Sequence, residues 1–303
     1  MDVSTVVILG AGASKPYGLP LGRELRDQVL SISMGDPNTK LFGRFQITSD
    51  EFRDFCSDLR TSAFQTVDAF LEKRPKWLKV GKIAMAMVLD GWEKEERLLP
   101  PKQPKDHWYE ALWHSFRATS WASLKRTNIK IVSFNYDRTL ECYLSAVISN
   151  NYPIQRKTAA TWLKEHLILH PHGTLGEYAG EQLGGFRIGQ PDRYARVLDA
   201  LNSITVISEA ESKAKLFSEI RNYIRVAERV IFLGFGFHEQ NMVRLGFPEV
   251  CSSNKRQMVS ATKKGVHKID WKSLCKRYFG RTFVDATTWP TMSKIVSDCI
   301  RTK

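Results

Sequence analysis

The sequence has no long apolar run and no closely spaced pair of cysteines, and its first residues lack the features of a signal peptide. Its longest apolar runs, such as Val6–Leu9 and Val230–Leu233, are far shorter than the roughly 20 residues that a membrane-spanning helix needs. The first residues, Met-Asp-Val-Ser-Thr, lead straight into an apolar strand and carry no basic region or small-residue cleavage site of a signal peptide. We therefore expect a cytoplasmic protein with no membrane partner.

The cysteines are few and far apart, which excludes the zinc ribbons that paired cysteines build. Their odd number also argues against a disulfide framework. We expect free thiols, and neither zinc nor another bound metal. The five cysteines are Cys56, Cys142, Cys251, Cys275 and Cys299.

Acidic residues are outnumbered, with 32 of them against 45 lysines and arginines, so the net charge is +13. A field of this sign attracts nucleic acid, an acidic partner or a phosphate-bearing substrate. The basic residues are nevertheless spread along the chain in short clusters such as Lys125-Arg126 and Lys263-Lys264. Charge alone therefore does not predict a DNA-binding protein, and a solvated basic surface is the default interpretation.

Short strands alternate with helices along most of the chain. Thr5–Leu9 is a β-branched and aliphatic run that leads directly into Gly-Ala-Gly, and a helix is predicted over roughly 21–32. This alternation predicts an α/β protein with a doubly wound, Rossmann-like parallel sheet. The later strands are predicted at 128–134, 167–169, 230–233, 257–261 and 281–284, and the later helices at 139–149, 209–226 and 270–279.

Residues 40–125 depart from this alternation, because their apolar residues recur at helical spacing without an intervening strand. We interpret this stretch as a mostly helical insertion. The parts before and after it, 1–39 and 126–303, then form one Rossmann-type domain. The tryptophans of the insertion are expected to pack rather than to contact a ligand: Trp77, Trp92, Trp108, Trp113 and Trp121.

The first motif is the Gly-Ala-Gly-Ala-Ser turn at Gly10–Ser14, directly after the first strand. Glycines at such a turn let the backbone approach a pyrophosphate, whose charge is met by amides at a helix start. Lys15 stands where the full GxGxxG pattern has its third glycine. Glycine turns also follow strands for purely structural reasons, so this motif alone leaves both interpretations open.

The second motif, Phe134–Asp137, lies at the end of a predicted strand. Asn135 and Asp137, separated by one residue, can both turn toward the crevice in which open α/β sheets bind ligands. Alternatively, Asp137 is the N-cap of the helix that begins at Arg138 or Thr139.

The third motif is His170–Gly173, again just after a short strand. Histidine is the side chain best suited to proton transfer near neutral pH. Gly173 permits a backbone turn that aims His172 into a crevice. We interpret His170 as a surface residue or as a structural neighbour.

The fourth motif, Leu233–Asn241, is a glycine-rich strand end that offers backbone amides to a ligand. His238 and Asn241 add polar groups that could reach an adenosine. A simple connection between strand and helix explains the glycines equally well. All four motifs follow predicted strands, so parallel pairing brings them to one edge of one sheet.

In sequence order, these motifs resemble those of the sirtuin-like superfamily, which run GAGxS, G-[IL]-P, NxD, HG and a late glycine loop. Arg23 falls where the family's Gly-Ile-Pro-Asp-Phe-Arg loop has its arginine. The resemblance covers about 1–32 and 128–290 and leaves the helical stretch outside. The matching residues are Gly10–Ser14, Gly18-Leu19-Pro20, Asn135, Asp137, His172-Gly173 and Gly234–Gly236.

The chain departs from the protein-deacylating sirtuins at three points. Leu21 replaces the acidic residue of the Gly-Ile-Pro-Asp loop, Phe134 stands where those enzymes have glutamine, and their four zinc cysteines are absent. The chain thus looks like the bacterial sirtuin-like proteins of anti-phage defence. That resemblance implies an NAD hydrolase that works as a homo-oligomer or with a HerA-type ATPase.

The resemblance implies cleavage of the nicotinamide–ribose bond, with NAD as substrate and nicotinamide and ADP-ribose as products. Asn135 would hold the ribose or the attacking water, Asp137 would orient the nicotinamide amide or its loop, and His172 would act as general base. Contacts with NAD are implied for a pyrophosphate cradle at Gly10, Ala11, Gly12, Ala13 and Ser14, a closing loop at Leu19, Pro20 and Arg23, and an adenosine side at Gly234, Phe235, Gly236 and Asn241.

Three other functions stay open at this point. The chain could bind NAD or ADP-ribose as a regulatory module without catalysis, or it could be a residual deacylase acting on small acyl groups. It could also be an effector that uses its charge of +13 to associate with nucleic acid. Nucleic acid would equally serve as the trigger of NAD hydrolysis.

Overall fold

The computed structural model describes residues 3–100, 102, 104–180, 193–206, 213–252, 257–262, 268–279 and 292–300. The strands in these residues are β1 Thr5–Leu9, β2 Ile129–Ser133, β3 Ile168–Leu169, β4 Arg229–Leu233 and β5 Met258–Ala261. Within this part of the chain, all five strands pair in parallel in one sheet, in the order β3-β2-β1-β4-β5. This arrangement confirms the predicted α/β class with a Rossmann-like parallel sheet.

Helices of very different length connect the strands. The α-helices of the described residues are α1 Ala11–Ser14, α2 Gly22–Leu30, α3 Asp36–Arg44, α4 Ser49–Thr61, α5 Val67–Lys73, α6 Leu78–Leu89, α7 Trp108–Phe116, α8 Trp121–Leu124, α9 Thr139–Asn151, α10 Arg156–Trp162, α11 Arg193–Ser203, α12 Ala214–Val226, α13 Glu239–Arg244, α14 Glu249–Ser252, α15 Lys268–Tyr278 and α16 Met292–Cys299.

The central strand β1 is apolar from Val6 to Leu9 because both faces of the sheet are covered by helices. Successive side chains of a strand point to opposite faces. Val7 and Leu9 belong to a core that also contains side chains of α7, α9 and α16. Val6 and Ile8 belong to a second core on the other face, with side chains of α12. Burial on both faces is typical of parallel sheets and explains the continuous apolar run.

A third core joins α2, α3, α4, α5, α6 and α11, which we call the helical layer. Tyr136 and Leu175 follow strands β2 and β3, and both contribute to this core, so the helical layer lies against the carboxyl edge of the sheet. The predicted insertion divides between two cores. Its helices α3 to α6 belong to the helical layer, whereas Trp108 of α7 and Leu124 of α8 pack in the core of the sheet.

The predicted elements agree with the structure to within a few residues. The helix predicted over 21–32 spans Gly22–Leu30, and the helix predicted over 209–226 is described as Ala214–Val226. The strand predicted at 281–284 lies outside the described residues.

No helix within the described ranges has both the length and the apolar character that crossing a membrane requires.

Candidate functional site

The four sequence motifs meet at the carboxyl edge of the sheet. Each follows a strand, and the strands are parallel, so all four chain segments leave the sheet on the same side. The strand order reverses at β1: the chain continues to β2 and β3 on one side and then to β4 and β5 on the other. Open α/β sheets bind their ligands at such a switch point.

The two glycine turns, after β1 and after β4, hydrogen-bond to each other. The amide of Gly10 donates to the carbonyl of Leu233 at 3.0 Å, and the amide of Gly12 donates to the carbonyl of Gly234 at 2.9 Å. The amide of Ala13 donates to the carbonyl of Gly10 at 2.8 Å. These amides therefore already have partners, which differs from the predicted cradle of amides facing a pyrophosphate.

Close backbone contact explains why the turns contain glycine. A Cβ atom added to Gly12 would lie 2.7 Å from the Cα of Gly234. Gly234 itself has a φ of +56°, and a Cβ there would lie 2.1 Å from the amide nitrogen of Ala13. Both distances are far below van der Waals contact, so these two glycines have a packing role. The structural interpretation of the glycines accounts for them without a ligand.

Replacing Gly12 by alanine is expected to lower the free energy of unfolding by about 2 kcal/mol, because neither backbone segment can yield easily to the added methyl group. Urea unfolding without nucleotide measures this. Gly43→Ala is the matched control, since an added Cβ at Gly43 in α3 meets nothing within 4 Å and should stabilise the helix by up to about 1 kcal/mol. Equal stability of the Gly12→Ala protein and the wild type would contradict the packing role.

Asn135 connects the motif after β2 to the motif after β1. Its side-chain Nδ2 donates to the carbonyl of Gly10 and to the hydroxyl of Ser14, each at 2.9 Å. The carbonyl can only accept, so this contact determines which end of the amide is nitrogen. The Oδ1 of Asn135 accepts no hydrogen bond from the described residues and is left for a hydroxyl group or a water molecule.

Asp137 lies beside Asn135 and is buried. Its carboxylate accepts hydrogen bonds from the amide of Thr139, at 3.2 Å, and from the Thr139 hydroxyl, so it holds the first turn of α9. The N-cap position itself is Arg138, one residue after the position that the alternative interpretation assigned to the cap. Burial raises the pKa of Asp137 to about 6, and the Ser14 and Thr139 hydroxyls only partly oppose this effect. The Asp137 carboxylate, which holds the first turn of α9, therefore titrates close to neutral pH.

His170 is partly buried and has two partners, so of its two interpretations the structural neighbour fits the structure. Its Nε2 contacts the Glu141 carboxylate of α9, and its Nδ1 lies 3.1 Å from the carbonyl of Asn135. A carbonyl only accepts, so Nδ1 carries a hydrogen. Burial opposes the charged form, yet the Glu141 carboxylate outweighs burial and raises the pKa of His170. The pair fixes the backbone of Asn135.

His172 differs from His170 in its hydrogen bonding and in the direction of its pKa shift. It is 6% exposed, and its Nε2 has no hydrogen-bonding partner among the described residues. Burial lowers the pKa of His172 to about 3, and the charges of Arg244 and Lys213 lower it further in the same direction. The imidazole is therefore neutral at physiological pH. A neutral, unpartnered nitrogen can accept a hydrogen bond or a proton from a ligand hydroxyl.

Aromatic rings lie next to His172: Phe134 packs against the imidazole, and Phe235 packs against Phe134. The Phe134 ring centroid lies 5.2 Å from that of His172 and 5.2 Å from that of Phe235. Phe134 thus separates the imidazole from the late glycine loop. Rings at this position exclude water and lower the local polarity, which strengthens any polar contact that a ligand makes there.

The remaining predicted site residues differ in their exposure to solvent. Leu19 and Pro20 are buried, whereas Arg23 is exposed in the first turn of α2 and makes no hydrogen bond or ion pair with the described residues. Gly236 is exposed. The Oδ1 of Asn241 in α13 is a buried atom without a hydrogen-bonding partner in the described part of the chain. Asn241 therefore joins His172 as a polar group with an unused hydrogen-bonding atom.

Sequence reasoning missed four charged residues near the site. Glu141 could have been found, because it is a charged residue in the first turn of an otherwise largely apolar helix. Asp68 of α5 accepts a hydrogen bond from the Tyr136 hydroxyl and ties the helical layer to the loop after β2. Lys213 and Arg244 carried no signal, since they are two among 45 basic residues.

No cluster of three or more His, Cys, Asp or Glu side chains suited to a metal ion occurs among the described residues. Comparison with known proteins identifies no matching family model and no significant match to a curated protein. The sirtuin-like resemblance thus depends on the motifs and on their arrangement at one edge of the sheet.

Proposed function

We propose that the chain is an NAD hydrolase that cleaves the nicotinamide–ribose bond and acts as an effector of bacterial anti-phage defence. The observation that carries this proposal is His172, a neutral, buried imidazole whose Nε2 lacks a partner among the described residues. It lies at the edge where the motifs with Asn135 and Asp137 also end. Buried titratable groups with a strongly altered pKa are typical of functional sites.

In the proposed reaction, the C–N bond breaks and its electron pair passes to the pyridinium nitrogen, so nicotinamide leaves as a neutral molecule. The ribose becomes oxocarbenium-like, as in glycoside hydrolysis. Water then adds to the ribose carbon and loses a proton, and ADP-ribose results. The rings of Phe134 and Phe235 would keep other water away from this intermediate.

Each of the three polar residues has a role that fits its contacts. The Oδ1 of Asn135 would accept a hydrogen bond from the ribose or from the attacking water, since both hydrogens on Nδ2 are already donated. His172 would accept a hydrogen bond from a ribose hydroxyl and serve as the route for its proton. Asp137 would hold the start of α9 and orient the nicotinamide amide.

A second function, binding of NAD or ADP-ribose without catalysis, is favoured by one observation. A general base works best when its pKa lies near the working pH, and the pKa of His172 is lowered to about 3. The same neutral nitrogen could hold a ribose hydroxyl in a regulatory module. This function needs the same contacts as hydrolysis but no water at the ribose carbon.

Incubation of the full-length protein with NAD tests the proposal. We expect equimolar nicotinamide and ADP-ribose, either from the protein alone or after addition of nucleic acid or a HerA-type ATPase. Binding of ADP-ribose without nicotinamide release under all three conditions would contradict hydrolysis and favour the binding module. Nicotinamide release that appears only with an acylated peptide would instead identify a residual deacylase. Mass measurement of the protein in solution tests the expected homo-oligomer.

A further inference from the structure

A diphosphate at this edge of the sheet needs donors other than the glycine-turn amides. The amides of Gly10, Gly12 and Ala13 donate to carbonyl groups of the protein, and the amide of Gly234 donates to the hydroxyl of Thr262 at 2.7 Å. Opening these bonds would also separate two backbones that are in direct contact. These four amides are therefore not available to a diphosphate, and side chains at the same edge can supply contacts in their place.

Two basic residues, Lys213 and Arg244, lie near the carboxyl edge of the sheet, beside the end of β4. We call them the basic pair. Helix α12 leads into β4, so Lys213, just before α12, lies near the edge where β4 ends. Helix α13 follows β4 and ends at Arg244. Phe217 lies one helical turn after Lys213, and the Arg244 guanidinium carbon is 5.7 Å from its ring centroid. Arg244 therefore packs against the first turn of α12, which begins directly after Lys213.

The basic pair is partly buried, and its charges act on His172, whose pKa they lower. Phe134 packs against His172 and against Phe235, which follows β4, so His172 lies toward the part of the edge where β4 ends. Burial also lowers the pKa of Lys213 and of Arg244, and Glu72 of α5 is the acidic residue that acts on Arg244. Lys213 makes no ion pair or hydrogen bond with the residues that the structure describes. Two partly dehydrated cations beside a neutral imidazole attract an anion.

We propose that Lys213 and Arg244 bind the diphosphate group of a nucleoside diphosphate. This inference rests on the proposed function, since it assigns the central diphosphate of NAD to two side chains in place of the glycine-turn amides. The planar guanidinium of Arg244 can contact two phosphate oxygens at once, and Lys213 adds a point charge. Arg221 donates to the carbonyl of Arg244 at 3.0 Å and so holds the end of α13 in place.

A diphosphate bound by the basic pair would place the adjoining ribose toward His172. In NAD, the ribose that carries nicotinamide is joined directly to the diphosphate. A diphosphate held next to His172 by Lys213 and Arg244 therefore brings that ribose to the unpartnered Nε2. The basic pair would position the substrate and would not itself take part in bond cleavage.

Calorimetric titration of the full-length protein with ADP and with adenosine tests the inference without relying on NAD cleavage. We expect Lys213→Met and Arg244→Met each to weaken ADP binding about tenfold, because each removes a charge-assisted contact while methionine keeps the apolar stem. Adenosine binding should stay unchanged and shows that the variants are folded. Lys213→Arg should retain most of the ADP affinity, and Lys215→Met, at an exposed position in α12, should retain all of it.

Three results would overturn the inference: no ADP binding by the wild-type protein, unchanged ADP affinity in both methionine variants, or an equal loss of ADP and adenosine affinity. The third result would indicate an adenosine pocket or a folding defect. The inference and the proposed function can fail separately. ADP binding that depends on the basic pair, without nicotinamide release from NAD, would leave the inference standing and contradict hydrolysis.

Discussion

Replacing His172 by glutamine is expected to lower the rate of nicotinamide release from NAD by about 10²–10⁴-fold, the usual contribution of a positioned general base. Glutamine has a similar volume and can still hydrogen-bond, but it cannot take up a proton. Because His172 is 6% exposed and its imidazole packs against the Phe134 ring, no water can replace its function easily. Steady-state measurement of kcat and KM separates this loss from weaker substrate binding.

His114→Gln is the matched control, since His114 lies on the surface of α7. This variant should keep the wild-type rate. ADP affinity should also survive in the His172→Gln protein, which shows that its site is still folded. A rate within about threefold of the wild type would mean that His172 only binds substrate, and the proposed mechanism would then lose its base.

Replacing Asp137 by asparagine is expected to stabilise the protein by about 3 kcal/mol at pH 7.5. Burial raises the pKa of Asp137 from its ordinary value of 3.8 to about 6, and one pKa unit corresponds to about 1.4 kcal/mol. The folded state therefore binds this proton more tightly than the unfolded state. The resulting stabilisation is complete below pH 3.8 and is lost as the pH rises through 6. Asparagine stays neutral and can still accept from the Thr139 amide.

Urea unfolding at two pH values measures this effect. The advantage of the Asp137→Asn protein should shrink to about 0.5 kcal/mol at pH 4, where the carboxyl group is protonated in the folded state and partly protonated in the unfolded state. Asp54→Asn, at an exposed position in α4, should change stability by less than about 0.5 kcal/mol at both pH values. A stabilisation of the Asp137→Asn protein that is the same at pH 4 and pH 7.5 would rule out the raised pKa.

The charged form of Asp137 destabilises the folded protein, which indicates that this carboxylate has a role in the site. A helix start can be capped by serine or threonine at similar strength and without a buried charge. Asp137 instead sits between Ser14, Thr139 and two further acidic residues, Glu93 and Glu141, whose charges raise its pKa. A protein that keeps such a group at neutral pH pays in stability, which is expected where the carboxylate has a function.

The elements of the sheet could be predicted from local sequence because their signals are local. The apolar run of β1 and the helical spacing of α2 depend on residues within one or two turns of each other. The glycine turn after β1 was also recognisable, yet its partner was not. Gly12 bonds to Gly234, more than 200 positions away, and no spacing in the sequence indicates that contact.

The sequence by itself determined the α/β class, the strand ends at which the four motifs lie and the choice of His172 as the candidate base. Only the tertiary structure decided which polar groups keep an unused hydrogen-bonding atom. His170 and His172 are two residues apart, but Glu141 pairs with the first, while burial near Lys213 and Arg244 keeps the second neutral. Hydrogen-bond satisfaction and burial depend on distant chain segments, so they arise only when the sheet assembles.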